Sequence, residues 1–393
     1  MISMEKTAKV SVAGHVCLDI TPKITNHGAV SDILSPGKLI SVDDASVTAG
    51  GVVGNTGLAL NALGIDTNIQ CKVGNDQFGA VTKSFFEQQG TDNHIKITDE
   101  AKSSFTIALS VPGADRILIH NCGANDTFGS DDIDYSTVKK SALFHFGYPT
   151  LMRKMRHNEG EEVRRVFKKI REYQIPVSMD LTLPEPQSES GTFDWDGFLQ
   201  KTLPLVDIFT PSFEEILFML NKTAYSKFRA AQFKSDPLEN LDISVLRDLG
   251  NKIIKYGSAV ALIKCGIKGL YIKTADLARL KNTPFELFHS PNWGSRELFC
   301  ESYRVQEFVC ATGAGDSCIA GFIAALLNGR SIEKALKIAA STGAKSLGSV
   351  DSFSSLGSFE QVEAYAEKTS TQDTFCAGGS WSYDKINRIW TIR

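Results

Sequence analysis

The sequence predicts an α/β protein with a mostly parallel central sheet and helices on both of its faces. Short β-rich runs alternate with amphipathic helical segments along most of the chain. Glycines stand at the turns between them, for example Gly14, Gly64 and Gly74. Two stretches, residues 18–48 and 103–122, break this alternation and predict a small separate sheet.

The regular elements follow in chain order. Strands are predicted at residues 9–13, 65–73, 142–146, 177–181, 206–210, 259–264 and 269–273. Helices are predicted at 54–63, 76–89, 153–173, 212–220, 243–256 and 315–329, where apolar residues recur at the spacing of one helical face. Residues 184–195 and 282–300 are predicted to be long surface loops.

The two irregular stretches predict strands without crossover helices. Residues 105–111 and 116–120 read as a hairpin joined at Pro112-Gly113, a dipeptide that favours a tight turn. Residues 18–48 contain a β-prone piece at 38–42 and no helical pattern. We expect both stretches to project from a single domain as a lid. Residues 370–393 are a C-terminal extension for which no structure is predicted.

Composition narrows the classes of function. The chain has 42 basic and 45 acidic residues, whereas proteins that bind nucleic acid through its phosphates usually have a basic excess. No run approaches the roughly 18 apolar residues that span a bilayer, and the N-terminus lacks a signal-peptide core. The eight cysteines are scattered without zinc spacing. We therefore expect a cytoplasmic protein with reduced thiols and no nucleic-acid or membrane partner.

The segment ATGAGDSCIAGFIAALLNG, residues 311–329, is the most informative part of the sequence. Its apolar stripe predicts a helix that begins near Gly315, directly after small residues. The first N–H groups of a helix have no internal partners, so this start is suited to hold a phosphoryl group. Asp316 is a candidate for orienting and deprotonating an attacking hydroxyl. The same sequence, GAGD, is also expected if Asp316 only caps the helix and has no catalytic role.

This segment resembles the second signature of the ribokinase/PfkB carbohydrate kinases, GAGD before an apolar helix. The resemblance implies a ribokinase-like three-layer α/β/α fold with a small β-sheet lid. It also implies that Asp316 is the catalytic base. The amides of Gly313, Ala314 and Gly315 would stabilise the transferring phosphoryl group.

The family's first signature resembles the earlier part of the chain. Gly50 and Gly51 are followed by Asn55 and then by VGNDQFG at 73–79. Asp19 follows Gly14 by five residues, as in the family. The resemblance implies that Asp19, Gly50, Gly51 and Asn55 bind the hydroxyls of a sugar. Asn55 could also simply cap its helix.

Later motifs match the family's nucleotide site in the expected order. TPSFEE at 210–215 lies where the family has Pro-Asn-x-x-Glu, and KCGIKG at 264–269 resembles a nucleotide-contacting strand and turn. The resemblance implies nucleotide contacts from Ser212, Lys264, Gly266 and Gly269. It implies that Glu215 binds a metal through water, with ATP and Mg²⁺ as cofactors. The ordered set covers residues 8–350.

Four departures from the family pattern limit what is implied. Cys310 stands where relatives often have an aspartate of a monovalent-cation site, so potassium activation is not expected. Ser212 replaces an asparagine, and Gly51-Val52 replaces the ribokinase Gly-Gly-Lys, which disfavours ribose. An asparagine near the adenine pocket is replaced around Ala340.

The resemblance implies an ATP-dependent kinase that phosphorylates a hydroxyl of a sugar or polyol, with a primary alcohol as the expected acceptor. Members with β lids often pair through them, which implies a homodimer. A nucleoside or vitamin kinase of the same family remains an alternative, as does a non-catalytic sugar sensor. Neither a nicotinamide fingerprint nor a P-loop is present. Among the histidines, only His15 is expected near the acceptor.

Overall fold

The computed structural model describes residues 9–25, 31, 35–109, 117–231, 241–305, 307–372, 375 and 381–392. Within them an eleven-stranded sheet and a four-stranded sheet are formed. The strands are β1 Lys9–Gly14, β2 Cys17–Pro22, β3 Ala45–Gly50, β4 Asp66–Gly74, β5 Asp92–Thr98, β6 Phe105–Leu109, β7 Ile117–Asn121, β8 Leu143–Gly147, β9 Val177–Asp180, β10 Ile208–Phe209, β11 Val260–Lys264, β12 Gly269–Thr274, β13 Glu297–Glu301, β14 Trp381–Asp384 and β15 Ile389–Ile392.

The helices cover both faces of the larger sheet. They are α1 Gly51–Ala62, α2 Gln77–Gln88, α3 Tyr135–Val138, α4 Arg153–Glu172, α5 Glu189–Thr192, α6 Trp195–Thr202, α7 Phe213–Leu220, α8 Lys222–Ala231, α9 Ile243–Lys255, α10 Leu277–Lys281, α11 Ala314–Leu327, α12 Ile332–Ser346 and α13 Phe359–Lys368. The backbone leaves helical geometry inside α4 at residues 157–160. No helix in the described ranges has the length and apolar character to cross a membrane.

The larger sheet has the order β14-β15-β13-β12-β11-β10-β9-β8-β1-β4-β5. The strands from β5 to β11 pair in parallel, and the four beyond β11 pair antiparallel. Strand β11 is buried along its whole length, with Val260 and Leu262 in one hydrophobic cluster and Ala261 and Ile263 in the other. This alternation confirms the predicted three-layer arrangement, because each face of the sheet needs its own covering of helices.

The two irregular stretches form the predicted small sheet, in the order β3-β2-β6-β7. Strands β6 and β7 pair antiparallel as a hairpin, and the predicted turn at Pro112-Gly113 lies outside the described residues. The prediction of a β-prone piece at 38–42 was wrong. Those residues are exposed or half-buried, and the strand that pairs with β2 is Ala45–Gly50.

Two segments that were predicted as surface loops contribute to the core. Residues 282–300 bury Phe288 and Trp293 and contain most of β13, which pairs with β12. Residues 184–195 contain the short helix α5 and bury Trp195. Aromatic side chains anchor both segments, although neither shows helical or strand periodicity. The C-terminal extension adds β14 and β15 beside β13.

Candidate active site

Two predicted site residues, Ser212 and Lys264, and two residues that the sequence analysis did not identify, Tyr148 and Asp180, lie at the carboxyl ends of the parallel strands. Tyr148 follows β8, Asp180 ends β9, Ser212 follows β10 and Lys264 ends β11. Carboxyl ends of parallel strands meet at one edge of a sheet, which is where α/β proteins usually bind ligands. The start of α11 lies at the same edge, and all of these residues line one cavity of about 430 Å³.

The start of α11 requires glycine before the helix. Gly313 has a φ of 73°, and a Cβ there would lie 2.5 Å from Cβ of Ser352. Gly313, Ala314 and Gly315 line the cavity. A Cβ on Gly315 would lie 3.7 Å from Nζ of Lys264, so the ammonium group is close to the first turn. The helix start therefore combines amides, a positive dipole end and a cation.

Asp316 is buried in the first turn of α11, and three side chains hold its carboxylate. Asn55 Nδ2 donates to Oδ2 at 3.0 Å, and Thr56 Oγ1 donates to Oδ1 at 3.2 Å. The hydroxyl of Tyr148 lies 2.9 Å from Oδ1 and 2.8 Å from Oδ2. Burial raises the pKa of Asp316 above its ordinary value, while Lys264 and these hydrogen bonds act in the opposite direction.

Tyr148 and Thr56 were not identified from the sequence. Thr56 directly follows Asn55 on α1, so its position next to a residue of the first signature was a signal that could have identified it. Tyr148 belongs to no motif used in the sequence analysis. Its backbone is left-handed, with φ 62° and ψ 40°, a conformation that is rare for a side chain of this size. Such strain clusters at functional positions.

Three carboxylates and one lysine face the cavity. Lys264 Nζ contacts Asp180 Oδ1 at 2.7 Å, and Glu215 and Asp316 line the same space. Burial raises the pKa of all three carboxyl groups, whereas their combined charge raises the pKa of Lys264. Lys264 is therefore a buried ammonium group that neutralises part of an acidic cluster.

Ser212 and Glu215 form a capping box at the start of α7. The Ser212 N–H donates to Oε2 of Glu215 at 2.7 Å, and the Glu215 N–H donates to Oγ of Ser212 at 3.2 Å. Both side chains nevertheless line the cavity. The structure thus supports a helix-capping role for both residues, in addition to any contact with a ligand.

The chemistry of these oxygen groups fits a magnesium ion. Carboxylate oxygens are suitable Mg²⁺ ligands, and Oδ2 of Asp180 is buried with no hydrogen-bond partner. Within the described ranges, no group of three or more His, Cys, Asp or Glu side chains could hold a metal by itself. Glu215 and Asp180 would therefore share the ion with water and phosphate oxygens.

The other end of the cavity is glycine-rich and apolar. Gly266 and Gly269 have φ values of 53° and 119°, and a Cβ on Gly269 would lie 2.0 Å from the carbonyl oxygen of Cys300. The apolar lining comes from Ile267, Val305, Phe308, Ala340, Ala344 and Leu347. Cys310 lies beside this wall, where its thiol accepts the N–H of Thr312 at 3.4 Å.

The residues predicted to bind the acceptor, Asp19, Gly50, Gly51 and Asn55, are not part of the lining of this cavity. A Cβ on Gly50 would lie 2.0 Å from Oδ2 of Asp19, so the backbone passes directly against this carboxylate. Asn55 connects this region to the carboxylate of Asp316 through its hydrogen bond. Gly51 begins α1 with a φ of 73° beneath the ring of His15.

His15 connects the small sheet to the site. Its Nε2 lies 3.2 Å from Nε2 of His120 on β7, and its ring centroid lies 6.0 Å from that of Tyr148. His120 Nδ1 lies 3.0 Å from Oγ1 of Thr106 on β6. Burial lowers the pKa of both histidines, so a neutral pair is expected at neutral pH. His120 was not identified from the sequence, because the strand that carries it has no local motif.

Comparison with known proteins identifies the family. The profile of the pfkB family carbohydrate kinases matches residues 7–356, which is most of the chain. The chain belongs to the PfkB family of carbohydrate kinases. This kinase is 26% identical over 277 residues to an uncharacterized sugar kinase of Archaeoglobus fulgidus, and the match covers 70% of this chain and 89% of the relative.

Solved structures confirm the ribokinase-like fold. Arabidopsis thaliana ribokinase, solved with ribose and ATP, matches with a TM-score of 0.66 and 17% identity over 92% of this chain and 99% of its own. A nucleoside kinase of Methanocaldococcus jannaschii matches with a TM-score of 0.61 and 17% identity over the same shares. The family and the fold together establish an ATP-dependent carbohydrate kinase.

Replacing Lys264 with methionine should destabilise the kinase by about 3 kcal/mol, because Asp180 would stay buried without its cation. The double variant K264M/D180N should recover more than half of this loss, since a buried amide needs no counter-ion. Urea unfolding of both variants and of D180N measures the effect, with exposed Lys255→Met as the matched control. A double variant no more stable than K264M would contradict this account of the pair.

Proposed function

We propose that this kinase transfers the γ-phosphoryl group of ATP to a hydroxyl, a primary alcohol, of a sugar or polyol. The observation that carries the proposal is the position of Asp316. Its carboxylate lies in the first turn of α11 beside the cavity and is bonded to Asn55 of the predicted acceptor site. A base between an acceptor pocket and an anion-binding helix start is the arrangement that in-line phosphoryl transfer needs.

Each part of the reaction has a candidate residue in this arrangement. Asp19, Gly50, Gly51 and Asn55 would orient the acceptor through hydrogen bonds. Asp316 would take the proton as the acceptor oxygen bonds to the γ-phosphorus and the bond to the β-phosphate oxygen breaks, releasing ADP.

The transferring group would be held at the start of α11. The amides of Gly313, Ala314 and Gly315 would stabilise the negative charge that builds up there, as groups fixed before the reaction begins. The nearby ammonium group of Lys264 would attract the phosphates. Lys264 therefore has two roles in the proposal, as the counter-ion of Asp180 and as a nucleotide contact.

Magnesium would be held mainly by the nucleotide. Mg²⁺ would neutralise part of the charge of the phosphates. Glu215 would contact it through water, with Ser212 positioned by the capping box. A structure of the same fold from Escherichia coli was solved with ATP and Mg²⁺, and it matches this chain with a TM-score of 0.64 and 17% identity. This match supports ATP and Mg²⁺ as the cofactors of this kinase.

The glycine-rich and apolar end of the cavity would receive the nucleoside. Gly266 and Gly269 would let the backbone approach it closely, while Ile267 and Phe308 would cover the base. The methyl side chain of Ala340 on α12 would contact the base but would form no hydrogen bond with it. The proposal therefore places ATP along the cavity and the acceptor under the small sheet, which would close as a lid and exclude water.

One observation favours the nucleoside kinase alternative. The rings of His120, His15 and Tyr148 follow one another at centroid distances of 5.0 Å and 6.0 Å on the acceptor side. Such rings could stack against a nucleobase. A sugar hydroxyl could instead bond to the histidine nitrogens, so the identity of the acceptor has to be measured.

Screening ADP release with ATP and Mg²⁺ tests the proposal. Pentoses, hexoses, keto-acid sugars, inositols and nucleosides are the acceptors, and mass spectrometry identifies the phosphorylated product. We expect a sugar or polyol to give a phosphate monoester. Turnover with nucleosides alone would favour the alternative. A chain that binds sugar but transfers phosphate to none of these acceptors would be a sensor.

Replacing Asp316 with asparagine should lower kcat by about a factor of 10² to 10⁴, because the general base is lost. Nucleotide binding measured by calorimetry should change little, since the amides and Lys264 remain. Exposed Asp276→Asn, at the start of α10, is the matched control. Near-normal turnover in D316N would refute the assignment of the base.

We also propose that the kinase forms a homodimer through the lid. Ile117, Leu118 and Ile119 on the edge strand β7 are 37%, 52% and 51% exposed, and an exposed apolar edge strand favours pairing. Sedimentation velocity should show a dimer that Leu118→Lys dissociates. The equally apolar Ile386→Lys at the C-terminal hairpin should leave it intact. A monomeric wild type would contradict the proposal.

A further inference from the structure

Three donors already engage the carboxylate of Asp316 and crowd it against an acceptor hydroxyl. A carboxylate offers about four lone-pair positions, two on each oxygen. Asn55 uses one on Oδ2 and Thr56 uses one on Oδ1, at 3.0 and 3.2 Å. The hydroxyl of Tyr148 lies within 2.9 Å of both oxygens, so its single proton is shared between them and its oxygen fills the space in front of the carboxylate.

The hydroxyl of Tyr148 occupies the place that the acceptor must take. A general base has to accept the acceptor's hydrogen at about 2.6–3.2 Å. The other two donors lie on α1 and are buried, and Asn55 Oδ1 also accepts from Ser352 at 3.2 Å. Tyr148 lies instead in the connection between β8 and the short turn Pro149–Leu151. It is therefore the donor that can leave with the least disturbance.

The conformation of Tyr148 favours its displacement. A left-handed φ on a non-glycine residue costs about 1–3 kcal/mol, which lowers the barrier to another arrangement of this connection. Burial and the neighbouring Asp316 carboxylate both raise the pKa of Tyr148, so its hydroxyl keeps its proton and remains a donor. Tyr148 thus presents to the base the same group that an alcohol would present.

Water is the acceptor that such a site has to exclude. A base beside bound ATP can deprotonate water as readily as an alcohol, and the products would be ADP and inorganic phosphate. We propose that Tyr148 keeps water off Asp316 until a bound acceptor displaces its hydroxyl. The inference rests on the proposed function, because it takes Asp316 as the base. Tyr148 then acts as a positioning residue that couples ATP consumption to the presence of the acceptor.

The variant Tyr148→Phe tests this role. It removes the hydroxyl, keeps the ring beside His15 and leaves room for a water molecule on Asp316. We expect the ratio of ATP hydrolysis without acceptor to transfer with acceptor to rise about tenfold, the effect of about one hydrogen bond to a charged group. Tyr256→Phe is the matched control, because the hydroxyl of Tyr256 also donates to an aspartate, Asp196, at 2.6 Å.

The pH profile provides a second measurement. Tyr148 stabilises ionised Asp316, so its removal should raise the pKa of Asp316. The acid limb of kcat/KM for transfer should then move about one pH unit upwards. The other charged or titratable groups that influence Asp316 or are influenced by it are Lys264, Asp180, Glu215, Cys17 and Cys318. All of them are retained in Y148F, so they are common to both profiles.

The outcomes separate this inference from the proposed function. If the wild type transfers phosphate to no acceptor, the proposed function fails and the inference falls with it. If the wild type is a kinase and Y148F keeps the same hydrolysis ratio, the inference alone is wrong. A higher ratio with an unmoved acid limb also overturns it, because water would then be activated away from Asp316. Thermal unfolding of Y148F shows that the compared proteins are folded.

Discussion

The site depends on a carboxylate that is buried at the start of a helix. An ionised carboxyl group can be removed from water only where donors and a cation replace its hydration. At Asp316 the replacement comes from three side-chain donors, the dipole of α11 and the ammonium group of Lys264. Because these groups come from separate parts of the chain, the strands and helices that carry them have to meet at one point.

Two helix starts meet at this point. Helix α1 begins at Gly51 and brings Asn55 and Thr56 to Asp316 from its second turn. Helix α11 begins after Gly313, which packs against Ser352 and the side chain of Asn55. Larger residues at Gly51 or Gly313 would strain the backbone and push the helices apart. The two glycine motifs therefore serve one junction, although they are more than 250 positions apart in the sequence.

The sequence contained enough to predict the parallel core and most of the site. Periodic strands and helices, together with GAGD and Gly-Gly-Asn, are local patterns, and the residues within them adopt local conformations. Tyr148, Thr56 and His120 could not be predicted in the same way, because their importance comes from contacts across the fold. Strand β13 was missed since its five residues are buried on both faces and show no alternation. The roles assigned to the individual site residues stay predictions.

The C-terminal hairpin extends the larger sheet beside β13. Gln372, which follows α13, lines the cavity. Its backbone N–H donates to the carbonyl oxygen of Ser302, and its side-chain Nε2 donates to the carbonyl oxygen of Tyr303. Aromatic packing of Phe375 with Phe299, Trp381 and Trp390 fixes this segment to the sheet. The C-terminal extension therefore contributes Gln372 to the wall of the cavity, and the packing of Phe375 holds this part of the chain against the sheet.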